Sequence, residues 1–313
     1  MGSSQMETAS RETSKGYAAI FATIFIWSTP SLFQFYLNRF YDPWAQNFYR
    51  YSVACVAVMP FVIYRFRKKG APIDLPVLRA CFVASVPNVV HQVGQTIALL
   101  YIGPGVYAIF GRSSVIVTAL LALAFFPEER GVIRQWRFQV GTLLGLLGAV
   151  GVLWFQPEWT TGHVPIKGLA LAFLATVSWA LYSVLVKRPS AQLGSVRSFG
   201  IISFMTSALL LPLTLLFGKI ATPFFVPFHA NGILVISAVI CISLAHVLYY
   251  VAIREVGVAL SQTLQLLCPI GALALSAWLF HERLAVAQFW SAGILLLGAF
   301  LAMRAKPAIP IAD

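Results

Sequence analysis

Polar side chains stand in this chain where an apolar sequence has little use for them. Asn88, His91 and Gln95 follow an i, i+3, i+7 rhythm inside the apolar stretch 80–101, which puts them on one face of a helix. His246 lies near the equivalent depth of a second apolar stretch, Arg112 is in a third, and Gln262 and Gln265 are in a fourth. A guanidinium offers a carboxylate a bidentate fork. An imidazole titrates near neutrality and can pass a proton, or it can stay neutral and hydrogen-bond. Trp27 and Trp179 both lie about eleven residues into apolar stretches, with Tyr182 on the face of Trp179. Such rings accept a flat apolar group edge-on or offset. Each set has a plainer use. The polar residues could glue helices together at about 1 kcal/mol per contact, Arg112 could snorkel outward, and the tryptophans could fill a core.

What is missing narrows the chemistry. There is no G-x-S-x-G, no H-E-x-x-H and no C-x-x-C pair, and Cys55, Cys81, Cys241 and Cys268 are scattered. The chain therefore reads as no enzyme, with no catalytic residues, no metal site and no cofactor. None of its ten Asp and Glu residues falls in the middle of an apolar stretch. That argues against drug–proton antiport through a buried glutamate and against a carboxylate-ligated sodium site.

The elements that must position these residues follow from composition. The chain is 59% hydrophobic and 10% charged, with mean hydropathy +0.82, against about 25% charged residues in a soluble domain. Ten stretches approach the roughly 20 residues that cross a bilayer: 16–37, 43–64, 80–101, 104–126, 136–156, 168–187, 196–217, 232–253, 257–280 and 285–303. The fold class is an all-α polytopic membrane protein whose partner is the lipid bilayer. The +12 charge does not point to nucleic acid. With the N-terminus inside, sixteen Lys and Arg fall in cytoplasmic segments and four in external ones, which is the positive-inside bias. Both termini are expected in the cytoplasm.

The second five stretches repeat the first five. A shift of 152 carries Lys15-Gly16, Ala18, Phe21 and Trp27 onto Lys167-Gly168, Ala170, Phe173 and Trp179. A shift of 153 carries Glu129-Arg130 onto Glu282-Arg283, and Arg112 onto Gln265. The glycines at 141, 145, 148 and 151 answer to Gly293 and Gly298 and suggest close helix packing. The expected organisation is a disordered segment 1–14, repeats over 15–156 and 165–305, and a tail from 306. Five is odd, so the second repeat is inverted in the membrane. That architecture places a site at the repeat interface. Pro30, Pro60, Pro87, Pro212 and Pro269 interrupt stretches by removing a backbone donor. Pro30 and Pro269 are the helix breaks expected to act in gating.

These features together resemble the drug/metabolite transporter superfamily in its EamA-type branch. The short basic start, the acidic–basic pair closing stretches 4 and 9, the glycine-rich stretches 5 and 10 and the Pro43…Arg50 spacing carry the resemblance. The Trp27-Ser28-Thr29-Pro30 and Asn88…His91 segments look most like the YddG-type exporters of aromatic amino acids within that branch. The resemblance implies an exporter of amino acids with aromatic or large apolar side chains, working by alternating access and without a buried-carboxylate ion site. Substrate would meet Trp27, Asn88, His91, Gln95, Arg112, Trp179, Tyr182, His246, Gln262 and Gln265. Arg50, which matches the branch pattern, is expected to bond the end of a neighbouring helix. A sugar-phosphate or nucleotide-sugar exchanger is the alternative. Monomer and homodimer both stay open. Stretch 4 lacks a proline to match Pro269, so the halves are not expected to move alike.

Overall fold

A computed structural model describes residues 3–67, 72–155, 165–280 and 285–305, and every regular element among them is helical. In the first repeat these are α1 (Ser3–Trp27), α2 (Pro30–Leu37), α3 (Pro43–Arg67), α4 (Leu75–Ala98), α5 (Pro104–Arg112), α6 (Ser114–Phe125), α7 (Pro127–Ile133) and α8 (Trp136–Trp154). The second repeat holds α9 (Ile166–Leu185), α10 (Lys187–Leu193), α11 (Ser195–Phe217), α12 (Phe228–Ser237), a π-helical segment (Ala238–Leu244), α13 (Ala245–Val256), α14 (Val258–Leu264), a 3₁₀ turn (Gln265–Leu267), α15 (Cys268–Phe280) and α16 (Val286–Met303). Asp42 and Asp74 cap α3 and α4 by accepting from backbone N–H groups of the first turn. Gly194 and Gly257 take the positive φ values, 78° and 93°, that end α10 and α13.

Seven stretches of the described residues are long and apolar enough to cross a membrane: Glu12–Leu37, Val106–Phe125, Trp136–Trp154, Ile166–Leu193, Ser195–Phe217, Phe228–Val256 and Val286–Met303. The expected ten are met by that measure at these seven places and not at three others. α3 and α4 have the length, 25 and 24 residues. Gln46, Asn47 and Arg50 in one, and Asn88, His91, Gln92 and Gln95 in the other, dilute their apolarity. The ninth stretch is divided into α14, the 3₁₀ turn and α15.

The packing pairs helices across the two repeats: α8 with α16, α3 with α11, α6 with α14, α4 with α9, and α1 with α13. The first three pairs join repeat-equivalent stretches, and the last two exchange under the same operation. The structure therefore follows a pseudo-twofold arrangement. Equivalent helices run antiparallel. An added Cβ on Gly141 would meet Ala302 and one on Gly151 would meet Ser291, while Gly200 abuts Val62 and Gly218 abuts Trp44. An odd number of stretches per repeat requires this opposed sense.

Several expectations change. The polar segment 1–14 is helical from Ser3 onward, as a continuation of α1, and Glu7, Ala9, Arg11 and Glu12 within it are residues a helix accepts. Glu282-Arg283 and the tail from 306 lie outside the described residues. Pro60, Pro87 and Pro212 stay inside continuous helices, because neighbouring turns re-satisfy the freed carbonyls. α1 stops at Trp27 and α2 restarts at Pro30, and the 3₁₀ turn ends just before Pro269. The two breaks touch, with Ser28 Oγ donating to the Cys268 carbonyl at 3.0 Å. The fourth stretch breaks as well, at Ser113, without a proline. That position is repeat-equivalent to the 3₁₀ turn, so the halves are more alike in backbone than in sequence.

Candidate functional site

A cavity of about 130 Å³ lies where the breaks of the two repeats meet. Trp27, Pro30 and Ser31 come to it from the α1–α2 break, His91, Gln92 and Gln95 from α4, and Tyr107 and Arg112 from α5. The second repeat supplies Thr176 and Trp179 of α9, Cys241 and Ile242 of the π segment, His246 of α13, and Gln262, Gln265 and Cys268 around the 3₁₀ turn. Arg50 of α3 completes the wall.

One wall is aromatic. The repeat-equivalent Trp27 and Trp179 meet edge-on at 5.1 Å between ring centroids, and Tyr249 stacks on Trp179 at 5.6 Å. His246 lies edge-on to Trp27 at 5.2 Å, and His91 lies 4.9 Å from Trp179. Trp27 Nε1 donates to the Cys241 carbonyl at 2.9 Å, which fixes its ring. His91 Nδ1 and His246 Nδ1 each sit 2.8 Å from a backbone carbonyl, of Ala175 and Ile242. A carbonyl can only accept, so Nδ1 carries a proton in both rings, and in a neutral ring Nε2 is then left as an acceptor. His246 Nε2 has no protein partner.

The polar wall carries positive charge. Arg112 donates from Nε to the Ala108 carbonyl at 3.2 Å and from Nη1 to the Gln265 carbonyl at 2.7 Å. The bond to Gln265 ties together repeat-equivalent positions, and it uses part of the fork expected to be free. Gln262 donates to Ser183 Oγ at 2.8 Å. Arg50 does bond a neighbouring helix, but within it and not at its end: its Nε donates to the Oγ of Ser237, where α12 runs on into the π segment. It also lines the cavity, which its pattern in the sequence does not disclose.

Nine of the residues singled out in the sequence therefore line one cavity: Trp27, Pro30, His91, Gln95, Arg112, Trp179, His246, Gln262 and Gln265. Asn88, Tyr182 and Pro269 do not. Asn88 shares the face of Gln95 but lies two turns away. There it accepts from Tyr51 Oη at 3.0 Å and donates to Thr206 Oγ1 at 3.1 Å. Tyr182 lies one turn past Trp179 and meets Tyr250 hydroxyl to hydroxyl at 2.5 Å. Depth along the helix, not the face, separates them from the cavity, and together they form its floor. Pro269 follows the lining residue Cys268. Ser31 and Thr176 were missed, although each lies one turn from a lining tryptophan.

A charged cluster joins the repeats at the start of α14. Glu129 of α7 is 7% exposed and accepts from the Val258 and Ala259 N–H groups, both at 2.9 Å, at the start of α14. It also pairs with Lys187 of α10, which reaches Glu128 at 2.9 Å. Partial burial works to raise the Glu128 pKa, but the hydrogen bond from Lys187 overrides it and holds the carboxyl below its usual value.

Comparison with known proteins agrees with this arrangement. The EamA-like transporter family matches the chain twice, over residues 14–154 and 166–304. A Haemophilus influenzae protein described as an uncharacterized transporter is 24% identical over 208 residues, covering 64% of this chain and 66% of its own length. A solved crystal structure of a protein 19% identical to this one superposes with a TM-score of 0.76, covering 93% of this chain and 98% of that one.

Proposed function

Because this chain belongs to the EamA-like transporter family of the drug/metabolite transporter superfamily, and so moves some metabolite across a membrane, we propose that its cargo is an amino acid with an aromatic or large apolar side chain. The pair Trp27 and Trp179, backed by Tyr249, lining one cavity together with Arg50 and Arg112 carries this reading. The wall suits an aromatic ring, and the guanidinium side suits a carboxylate. The neutral Nε2 atoms of His91 and His246 suit an ammonium.

Transport proceeds by alternating access between the repeats, with the breaks at Pro30 and Pro269 as hinges. The structure corresponds to the state sealed at the Glu129 end. The charge bias of the loops makes that end cytoplasmic, with both termini on the same side of a bacterial inner membrane. Among the described residues no acid lines the cavity, and both cavity histidines hold Nδ1 on a backbone carbonyl. We therefore read the protein as a facilitator whose gradient sets direction. A phosphorylated-sugar exchanger is the second reading, favoured by the two guanidiniums that line a single cavity.

The test is counterflow of labelled phenylalanine into proteoliposomes preloaded with unlabelled amino acid, with and without a pH gradient. Uptake that is competed by tryptophan and leucine and indifferent to pH is expected. Uptake competed only by phosphorylated sugars would replace the first reading with the second. Within this assay, Trp179→Leu should weaken phenylalanine about tenfold, since each aromatic pair contributes about 0.5–1.5 kcal/mol and Trp179 makes several. Leucine transport should fall less. An equal loss for both amino acids would show that the ring sets the packing and not the selectivity.

A further inference from the structure

Arg50 is buried to 1% exposure, yet none of the ion pairs among the described residues includes it. Its Nε donates to Ser237 Oγ at 3.2 Å, while Nη1 has no acceptor. The nearby Tyr51 hydroxyl is engaged with Asn88. A buried, unpaired cation is costly and is kept where it faces a cavity or a partner. Here it faces the cavity. Two further nitrogens of cavity-lining residues, Nε2 of His246 and Nε2 of Gln265, also lack partners among the described residues. Ser237 immediately precedes the π segment, and Cys241 within that segment lines the cavity. Short π segments inside helices cluster at functional sites.

Resting on the amino-acid reading, we propose that Arg50, and not Arg112, anchors the negative end of the cargo, and that this end is a carboxylate. Arg112 already gives two of its N–H groups to backbone carbonyls. Arg50 keeps a free donor edge, and the Gln265 amide supplies a second donor. One such cation matches the single charge of a carboxylate better than the near-double charge of a phosphate monoester. The ligand thus supplies the counter-ion that the described residues lack.

The test measures binding by thermal shift and calorimetry on the full chain in lipid nanodiscs. Probes are L-phenylalanine, L-phenylalanine amide, 3-phenylpropionate and benzyl phosphate. Wild type should bind the two carboxylates and not the amide. Arg50→Gln should lose at least tenfold in affinity for the carboxylates, and Arg50→Lys should recover part of it. Arg112→Gln should lose less. Without ligand, Arg50→Gln should melt no lower than wild type, because it removes an uncompensated charge.

The proposal is overturned if Arg50→Gln binds carboxylates as wild type does. Equally decisive against it would be a ligand-free Arg50→Gln that melts well below wild type and is restored by Arg50→Lys, which marks a purely structural role. Benzyl phosphate binding more tightly than the carboxylates would overturn the assignment of charge class. Arg50-dependent binding of 3-phenylpropionate without binding of phenylalanine would sink the amino-acid reading and leave Arg50 standing. Phenylalanine bound equally by wild type and Arg50→Gln would do the reverse. No shift with any probe would remove both.

Discussion

Glu129→Ala should lower thermal stability sharply and open the sealed end. The carboxylate joins three elements that no chain connection holds together: α7 in the first repeat, and α10 and the first turn of α14 in the second. Alanine would strand the Val258 and Ala259 N–H groups and leave Lys187 with the exposed Glu128 alone. Removing one partner of a buried pair costs about 3–5 kcal/mol. We expect the lower part of that range, since Lys187 keeps some solvent access. Glu129→Gln should fall between, because the amide still accepts from one backbone donor. The functional half of the prediction is read by labelling. In a background without the four native cysteines, a cysteine at the buried Ser183, beside Tyr182 on α9, should react faster with a thiol reagent when Glu129 is alanine. An unchanged melting point with unchanged labelling would show that the seal contributes nothing. Gly257→Ala should act in the same direction. Its φ is 93°, and a Cβ there would lie 3.2 Å from the Glu129 carboxyl.

Much of this was legible in the sequence, and what was not has a common cause. The repeat could be read because Trp27 and Trp179, or Arg112 and Gln265, hold equivalent places, and the structure brings each pair into contact. The breaks at Pro30 and Pro269 fall at prolines, but a missing donor alone does not mark a break, since Pro60, Pro87 and Pro212 stay inside continuous helices. Periodicity reports the face of a helix but not how deep the cavity reaches, so Asn88 and Tyr182 were placed in it when they form its floor. It cannot show a π segment either, since Ala238–Leu244 is apolar in sequence like its surroundings. Glu129-Arg130 was visible as a repeated motif. The partners of Glu129 lie far along the chain in the other repeat, and only packing reveals them. Arg50 looked structural because its bond to a neighbouring helix is real, although it falls within that helix and not at its end. Its second aspect needed the cavity.

Gly298→Leu should prevent folding or leave a protein that aggregates on extraction, the largest effect expected of any single substitution here. α8 and α16 approach with their backbones in contact, which small residues allow. A Cβ on Gly298 would lie 2.3 Å from the Gly145 nitrogen and 2.6 Å from the Gly141 carbonyl oxygen. Both obstacles are backbone, so no rotamer change relieves them. Overpacking usually costs about 1–3 kcal/mol, and a clash with backbone on both sides should exceed it even for Gly298→Ala. Two controls make the prediction specific. Gly293 lies on the same helix with open space where its Cβ would go, so Gly293→Ala should be neutral or stabilise by up to about 1 kcal/mol through helix propensity. Gly145, the repeat mate of Gly298, would meet only side-chain tips, of Leu266 at 3.0 Å and Leu295 at 3.8 Å. Gly145→Ala should therefore cost little, because those tips can turn aside. Size-exclusion profiles and melting points of the alanine variants decide the matter. Equal tolerance at 145 and 298 would mean that the two repeats pack symmetrically here, and that the backbone contact at Gly298 is not what holds α8 to α16.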